Sequence, residues 1–189
     1  VTHVTEDDLD DLEFDTLRSG DHTSAAERLG ELAASVSGGV SRAKVLLRAG
    51  EQWQHAGEHA KAAELYELAI QDGGETYGDP RAYLADALFE LGRKDEAQAL
   101  VDQIRAEAPD DPEVYRTVAE VLYEKGDVRG TYEWATLGAD VVLAVQDRGE
   151  RESAEDSLEA LLRLRYRARL DLGHPEDQYD TLLDDLLKN

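Results

Sequence analysis

Residues 43–74 read AKVLLRAGEQWQHAGEHAKAAELYELAIQDGG. Leu46, Ala49, Gly50 and Trp53 recur at spacings of three and four, which puts them on one face of a helix. Gly57 ends that helix, where a positive φ is needed and glycine adopts it without penalty. Ala62, Tyr66 and Ala69 then form the inner face of a second helix running back. The small residues Gly50 and Ala62 predict a close approach of the two helices, with Trp53 and Tyr66 filling the space beside them.

The pattern copies itself. Gly57-x-x-x-x-Ala62 returns as Gly92-x-x-x-x-Ala97, 35 residues later, and a glycine returns at Gly126 after another 34. In the second copy Asp79-Pro80 is a helix start, Leu84, Ala85 and Leu88 line the first helix, and Ala97, Val101 and Ile104 the second. Pro109 closes that copy, because a helix does not continue through proline. The third opens at Asp111-Pro112 and carries Tyr115, Val118, Ala119 and Leu122 before Gly126. Its second helix departs from the pattern with Thr131, Ala135 and Gly138, and Trp134 stands one place early to supply the missing bulk. A period near 34 encodes one helical hairpin per copy, and such hairpins stack to bury their faces.

This series resembles the tetratricopeptide repeat. Leu46, Ala49, Gly50, Trp53, Ala62, Tyr66 and Ala69 match its consensus in the first copy; Leu84, Ala85, Leu88, Ala97 and Pro109 match in the second, although Arg81 replaces a large apolar residue. The third copy matches well in its first helix, and the similarity covers residues 43–143. The resemblance implies an all-α, right-handed α-solenoid of about five antiparallel hairpins. The expected organisation is a single array over 1–189: a degenerate hairpin at 6–39, repeats at 43–76, 78–111 and 112–145, and a capping hairpin at 153–189. In the first of these, Leu12 and Leu17 are followed by Gly20 and Ala25 at the five-residue spacing, then by Leu29 and Leu32, and Ser37-Gly38-Gly39 is a loop. In the last, Ser153-x-x-Asp156 reads as a capping box, and Gly173-His174-Pro175 as a break. Terminal hairpins of such arrays are atypical, since one face meets water.

Composition supports helix and limits the partners. Of 189 residues 41% are hydrophobic and 33% charged, with only four prolines, and no run alternates over the length of a strand. The absence of cysteine excludes disulfides and thiolate chemistry. The formal charge of −23 disfavours nucleic acid and anionic membrane surfaces. Val1 to Asp15 has neither the basic flank nor the apolar stretch of a secretory signal, and the longest apolar run, Val141 to Val145, is far too short to span a bilayer. A cytoplasmic location is expected. Fifteen of the twenty basic residues are arginine, which suits a GC-rich genome or a salt-adapted cytoplasm. Val1 and the lack of methionine suit a bacterial GTG start or an internal piece of a longer chain.

Catalytic and metal motifs fare poorly. His55-Ala56-Gly57-Glu58-His59 has the letters of a zinc-peptidase motif, but such histidines share one helical face, whereas Gly57 puts these on two helices. No phosphate-binding loop or nucleophile elbow is present, and Gly38-Gly39 and Gly73-Gly74 read as helix breaks. No enzyme activity, cofactor or metal is expected. Arg163, Arg165, Arg167 and Arg169 alternate with Leu164, Tyr166 and Ala168, and are expected to pair with acidic neighbours or to meet the acidic groove of another copy. The acid run Glu6 to Asp15 is expected to be a solvated or frayed first helix.

The family resemblance further implies that particular positions of each first helix line a concave groove. The ninth gives Glu51, Asp86 and Glu120, the twelfth Gln54, Phe89 and Tyr123, and the fifth Leu47, Ala82 and Arg116. Acids beside aromatic rings suit a basic, partly apolar peptide, steered by charge and anchored by the rings. The expected contacts are Glu51, Asp86, Phe89, Glu120 and Tyr123. The acids exclude the carboxylate-clamp mode of some relatives, which needs Lys, Asn and Arg there. The expected function is a non-catalytic module binding another protein, as a monomer or weak homodimer. Alternatives are a self-associating structural module and the regulatory part of a larger enzyme or complex.

Overall fold

A computed structural model describes residues 2–146 and 152–188, with side chains omitted at 152 and 153. It holds two short strands, β1 (Thr2–Val4) and β2 (Val36–Gly39), and the helices α1 (Glu6–Ser19), α2 (His22–Ser35), α3 (Arg42–His55), α4 (His59–Asp72), α5 (Pro80–Glu90), α6 (Lys94–Glu107), α7 (Pro112–Glu124), α8 (Val128–Gln146), α9 (Glu152–Leu172) and α10 (Gln178–Lys188). The chain divides into two compact units, one ending at Gln103 and the other beginning at Ile104.

The turns explain the period. Glu58, Arg93 and Asp127 donate their backbone N–H to the carbonyls of Trp53, Leu88 and Leu122, each at 2.9 Å. Gly57, Gly92 and Gly126 just before them have φ of 79°, 75° and 78°. This is the Schellman closure, in which a left-handed residue lets the chain satisfy the last carbonyls of a helix. His174 repeats it on Arg169 at 3.1 Å, after Gly173. At the starts of α5 and α7, Asp79 and Asp111 accept from the N–H groups of Arg81 and Glu113 at 2.9 and 3.0 Å, and proline follows each cap.

In the first unit, α1 to α4 bury Leu9, Leu12, Ala25, Leu29, Leu46, Ala49 and Ala69 in one cluster. Gly50 lets α3 and α4 approach closely through Tyr66. A Cβ there would lie 2.4 Å from Cε1 of Tyr66, so glycine leaves room for the tyrosine ring. Glu6, Asp7, Asp8, Asp10 and Asp11 are exposed, as a solvated first helix requires. The helix start is capped rather than frayed: Thr5 and Asp8 form a reciprocal capping box, and Glu6, Asp7 and Asp8 stand at the favourable end of the helix dipole. Leu17 points into solvent at 80% exposure. Leu9, Leu12 and Thr16 already define the inner face, and residue 17 lies about 100° further round it. The segment expected as a loop at Ser37-Gly38-Gly39 is strand β2, which pairs in parallel with β1 through Thr2–Val36, His3–Gly38 and Val4–Gly39. Its partner is three residues long and distant in sequence, so no local alternation announced the pair.

In the second unit, α7 and α8 bury Tyr115, Val118, Ala119 and Leu122 against Trp134, Ala135 and Ala139. The ring of Trp134 lies 5.6 Å from that of Tyr115, giving the bulk expected of it. Gly138 admits α9: a Cβ there would come 2.8 Å from Leu161. α9 contributes Leu158, Leu161 and Leu162 to this core. The capping box expected at Ser153 lies outside the described side chains.

Candidate protein-binding surface

Once α3 and α5 have committed their apolar faces, Arg48, Glu51 and Gln54 remain on α3, and Asp86 and Phe89 on α5. All five are half-buried. Leu47 and Ala82, expected beside them, are instead fully enclosed, so the fifth position belongs to the core in this unit. Gln54 Nε2 donates to Asp86 Oδ2 at 2.9 Å, joining the two helices. The Oε1 of the same glutamine accepts from Nδ1 of His59 at 2.7 Å. Arg48 gathers the acids of α1, meeting Glu13 at 2.7 Å, Asp10 at 3.2 Å and Glu6 at 3.4 Å. Its guanidinium lies 5.3 Å from the centre of the Tyr77 ring.

Glu51 is the most altered acid of this surface. Burial is the main cause, and its pKa is pushed up to about 7. The Tyr77 hydroxyl donates to its Oε2 at 2.8 Å and Arg48 favours the anion, while Glu13 opposes it. At neutral pH Glu51 therefore carries only part of a charge. Tyr77 itself stays a phenol, since burial and the nearby Glu51 raise its pKa well above the usual value. Tyr77 and Arg48 escaped the sequence reading. The signal was Tyr77-Gly78 ahead of the Asp79-Pro80 cap, but the loop conformation decides where the ring lands.

In the second unit, Glu120 on α7 accepts from Nε of Arg116 at 3.1 Å, and Arg116 also meets Glu113 at 3.4 Å. Tyr123, one turn further on, is 38% exposed. This unit thus presents one paired acid and one accessible ring.

The two other constellations are tied into the fold. His55 is the last residue of α3 and His59 the first of α4; the His55 ring lies 5.1 Å from that of His22, while His59 is hydrogen-bonded to Gln54. Among the described residues no group of three His, Cys, Asp or Glu is placed to hold a metal. In the arginine island, Arg165 meets Asp177 at 2.7 Å and lies between the rings of Tyr132 and Tyr179, at 4.7 and 4.1 Å. The pairing holds the Asp177 carboxyl below its usual range. Arg169 pairs with Asp180 at 3.0 Å, both buried. Arg163 meets Glu159 one turn back, at 2.7 Å.

Two tetratricopeptide repeat family models match the chain, one over residues 15–76 and the other over 54–121. Among solved structures, a crystal structure of a variant of nearly identical TPR-like repeats, from a candidate kinesin light chain of Podosopora anserina, superposes with a TM-score of 0.58 at 21% identity. The match covers 95% of this chain and 92% of that one, and it speaks to fold. No curated protein matches. No described helix is long and apolar enough to cross a membrane.

Proposed function

This chain belongs to the tetratricopeptide repeat family, and from that premise we propose that it is a non-catalytic module which binds a basic, partly apolar peptide segment of another protein through the outward faces of its first helices. The family is in general an interaction fold. The observation carrying the finer reading is the Gln54–Asp86 hydrogen bond. It fixes the ninth-position acid of α5 beside α3 and leaves Phe89, one turn on, out of the sealed core.

Division of labour follows from the chemistry. Asp86 and Glu120 supply carboxylates, and Glu51 adds charge that depends on pH. Phe89 and Tyr123 occupy the same place in successive repeats and supply flat apolar area at little entropic cost. A chain of net charge −23 draws a basic ligand from a distance, so association slows as salt rises.

The test starts from a random peptide library displayed on phage. Peptides selected on the intact chain are expected to be rich in Lys or Arg beside an apolar residue. A peptide held on the first unit should be weakened about tenfold by Phe89→Ala, and one held on the second by Tyr123→Ala, as anchor truncations do. Selected peptides that are acidic, or that bind both variants as well as the parent, would refute the reading.

A further inference from the structure

The last hairpin carries an open groove of about 460 Å³ between α9 and α10, inside the second unit. Its floor is Tyr166, Leu183 and Leu187. Tyr166 and Leu187 are 41% and 49% exposed, and the neighbouring Leu170 52%. One wall is basic, from Arg163 and Arg167 of α9; the other is acidic, from Glu176 in the turn and Asp184 of α10. The fold uses up half of the arginine island, since Arg165 and Arg169 are buried in ion pairs. Among the described residues, what remains outward is Arg163, paired with Glu159 on its own helix, and Arg167, which makes no ion pair.

We propose that this groove is a self-association site whose occupant is a second copy of the same hairpin. A two-fold interface must be complementary to itself, and a patch with an apolar floor between one basic and one acidic wall meets that condition. The charges also select the axis. A two-fold running along the groove lays α9 of one copy over α10 of the other. Arg167 and Glu176 both stand near the turn, Arg163 and Asp184 both further from it. Arg167 therefore faces the partner's Glu176, and Arg163 the partner's Asp184. A two-fold across the groove would instead set basic wall on basic wall, and like charges would oppose it. The paired floors cover Tyr166 and Leu187, which water otherwise meets. A basic peptide bound on the first helices is a separate event at other residues, so this site stands independently of the proposed function.

The test is sedimentation equilibrium of the full chain at about 0.15 M salt, where long-range repulsion between copies is screened beyond ~8 Å. The wild type should show a concentration-dependent monomer–dimer equilibrium. Arg163→Glu with Arg167→Glu gives a chain with two acidic walls, and Glu176→Arg with Asp184→Arg one with two basic walls. Each should weaken self-association by at least about tenfold. An equimolar mixture of the two should recover dimers, because every wall then faces its opposite. The first variant makes the chain more negative and the second less negative, so an effect of net charge alone would move them in opposite directions. All four positions are exposed, and recovery in the mixture itself shows both variants folded. A wild type that stays monomeric at the highest concentration in which it remains dispersed would overturn the proposal. So would a second variant that associates more strongly than the wild type, or a mixture that stays monomeric.

Discussion

The hydroxyl of Tyr77 donates to Oε2 of Glu51 at 2.8 Å, so a residue of the α4–α5 loop covers an acid of α3. Burial raises the Glu51 pKa from an ordinary 4.5 to about 7. Between those values the folded chain holds a proton that the unfolded chain has released. Stability therefore falls as pH rises through that window and levels off above about 7, the loss from this group being roughly 3 kcal/mol. Glu51→Gln keeps an acceptor for Tyr77 and removes the titration. Urea denaturation at pH 5 and pH 8 should show the variant gaining on the parent as pH rises. An equal difference at both values would contradict the account.

Gly50 makes room for Tyr66, and a methyl group there meets the ring at 2.4 Å. Gly50→Ala should lower stability by about 1–3 kcal/mol despite the better helix propensity of alanine. Thermal unfolding followed by circular dichroism checks this. A variant as stable as the parent would mean that α3 and α4 do not approach as described.

Arg169 and Asp180 form a buried pair in the last hairpin. Arg169→Met leaves Asp180 enclosed without its cation and should cost about 3–5 kcal/mol; pairing it with Asp180→Leu should recover a large part of that. Denaturation of both variants gives the comparison. A double variant no better than the single one would show that the hydrogen bonds of Arg169 to His174 and of the Asp177 N–H to Asp180, and not the ion pair alone, hold the hairpin.

The capping box of α1 gives a smaller effect. Thr5→Ala removes the acceptor for the Asp8 N–H and should destabilise the first helix by about 1 kcal/mol. Amide hydrogen exchange should quicken across Glu6–Leu12 first. Unchanged exchange there would contradict the cap and favour the frayed form of the first helix over the solvated one.

Much of the fold was written in local chemistry. Gly57, Gly92 and Gly126 mark turns that only a left-handed residue closes well, and Asp79-Pro80 and Asp111-Pro112 mark helix starts, all within one or two residues of where they act. Contacts between distant segments left no such mark. The pairing of Thr2–Val4 with Val36–Gly39 is one, and the Tyr77 cover on Glu51 is another. Register named Phe89 and Tyr123 as contacts of the candidate surface; Phe89 is half-buried and Tyr123 38% exposed. Register gave no account of burial, so Leu47 and Ala82 were assigned to a groove while packing enclosed them. It also treated Glu51 as a plain anion, because a pKa depends on neighbours that the period does not name.

The central claim is that partners are held on the outward faces of the first helices. It is tested most directly by placing a photo-crosslinking amino acid at Phe89, at Tyr123 and, as a control, at Leu68 on the second helix α4, which is 43% exposed. Each chain is irradiated with a library-selected basic peptide. The account predicts covalent adducts from position 89, position 123 or both, suppressed by excess unlabelled peptide, and none from position 68. Adducts from position 68 with none from 89 or 123 would contradict it.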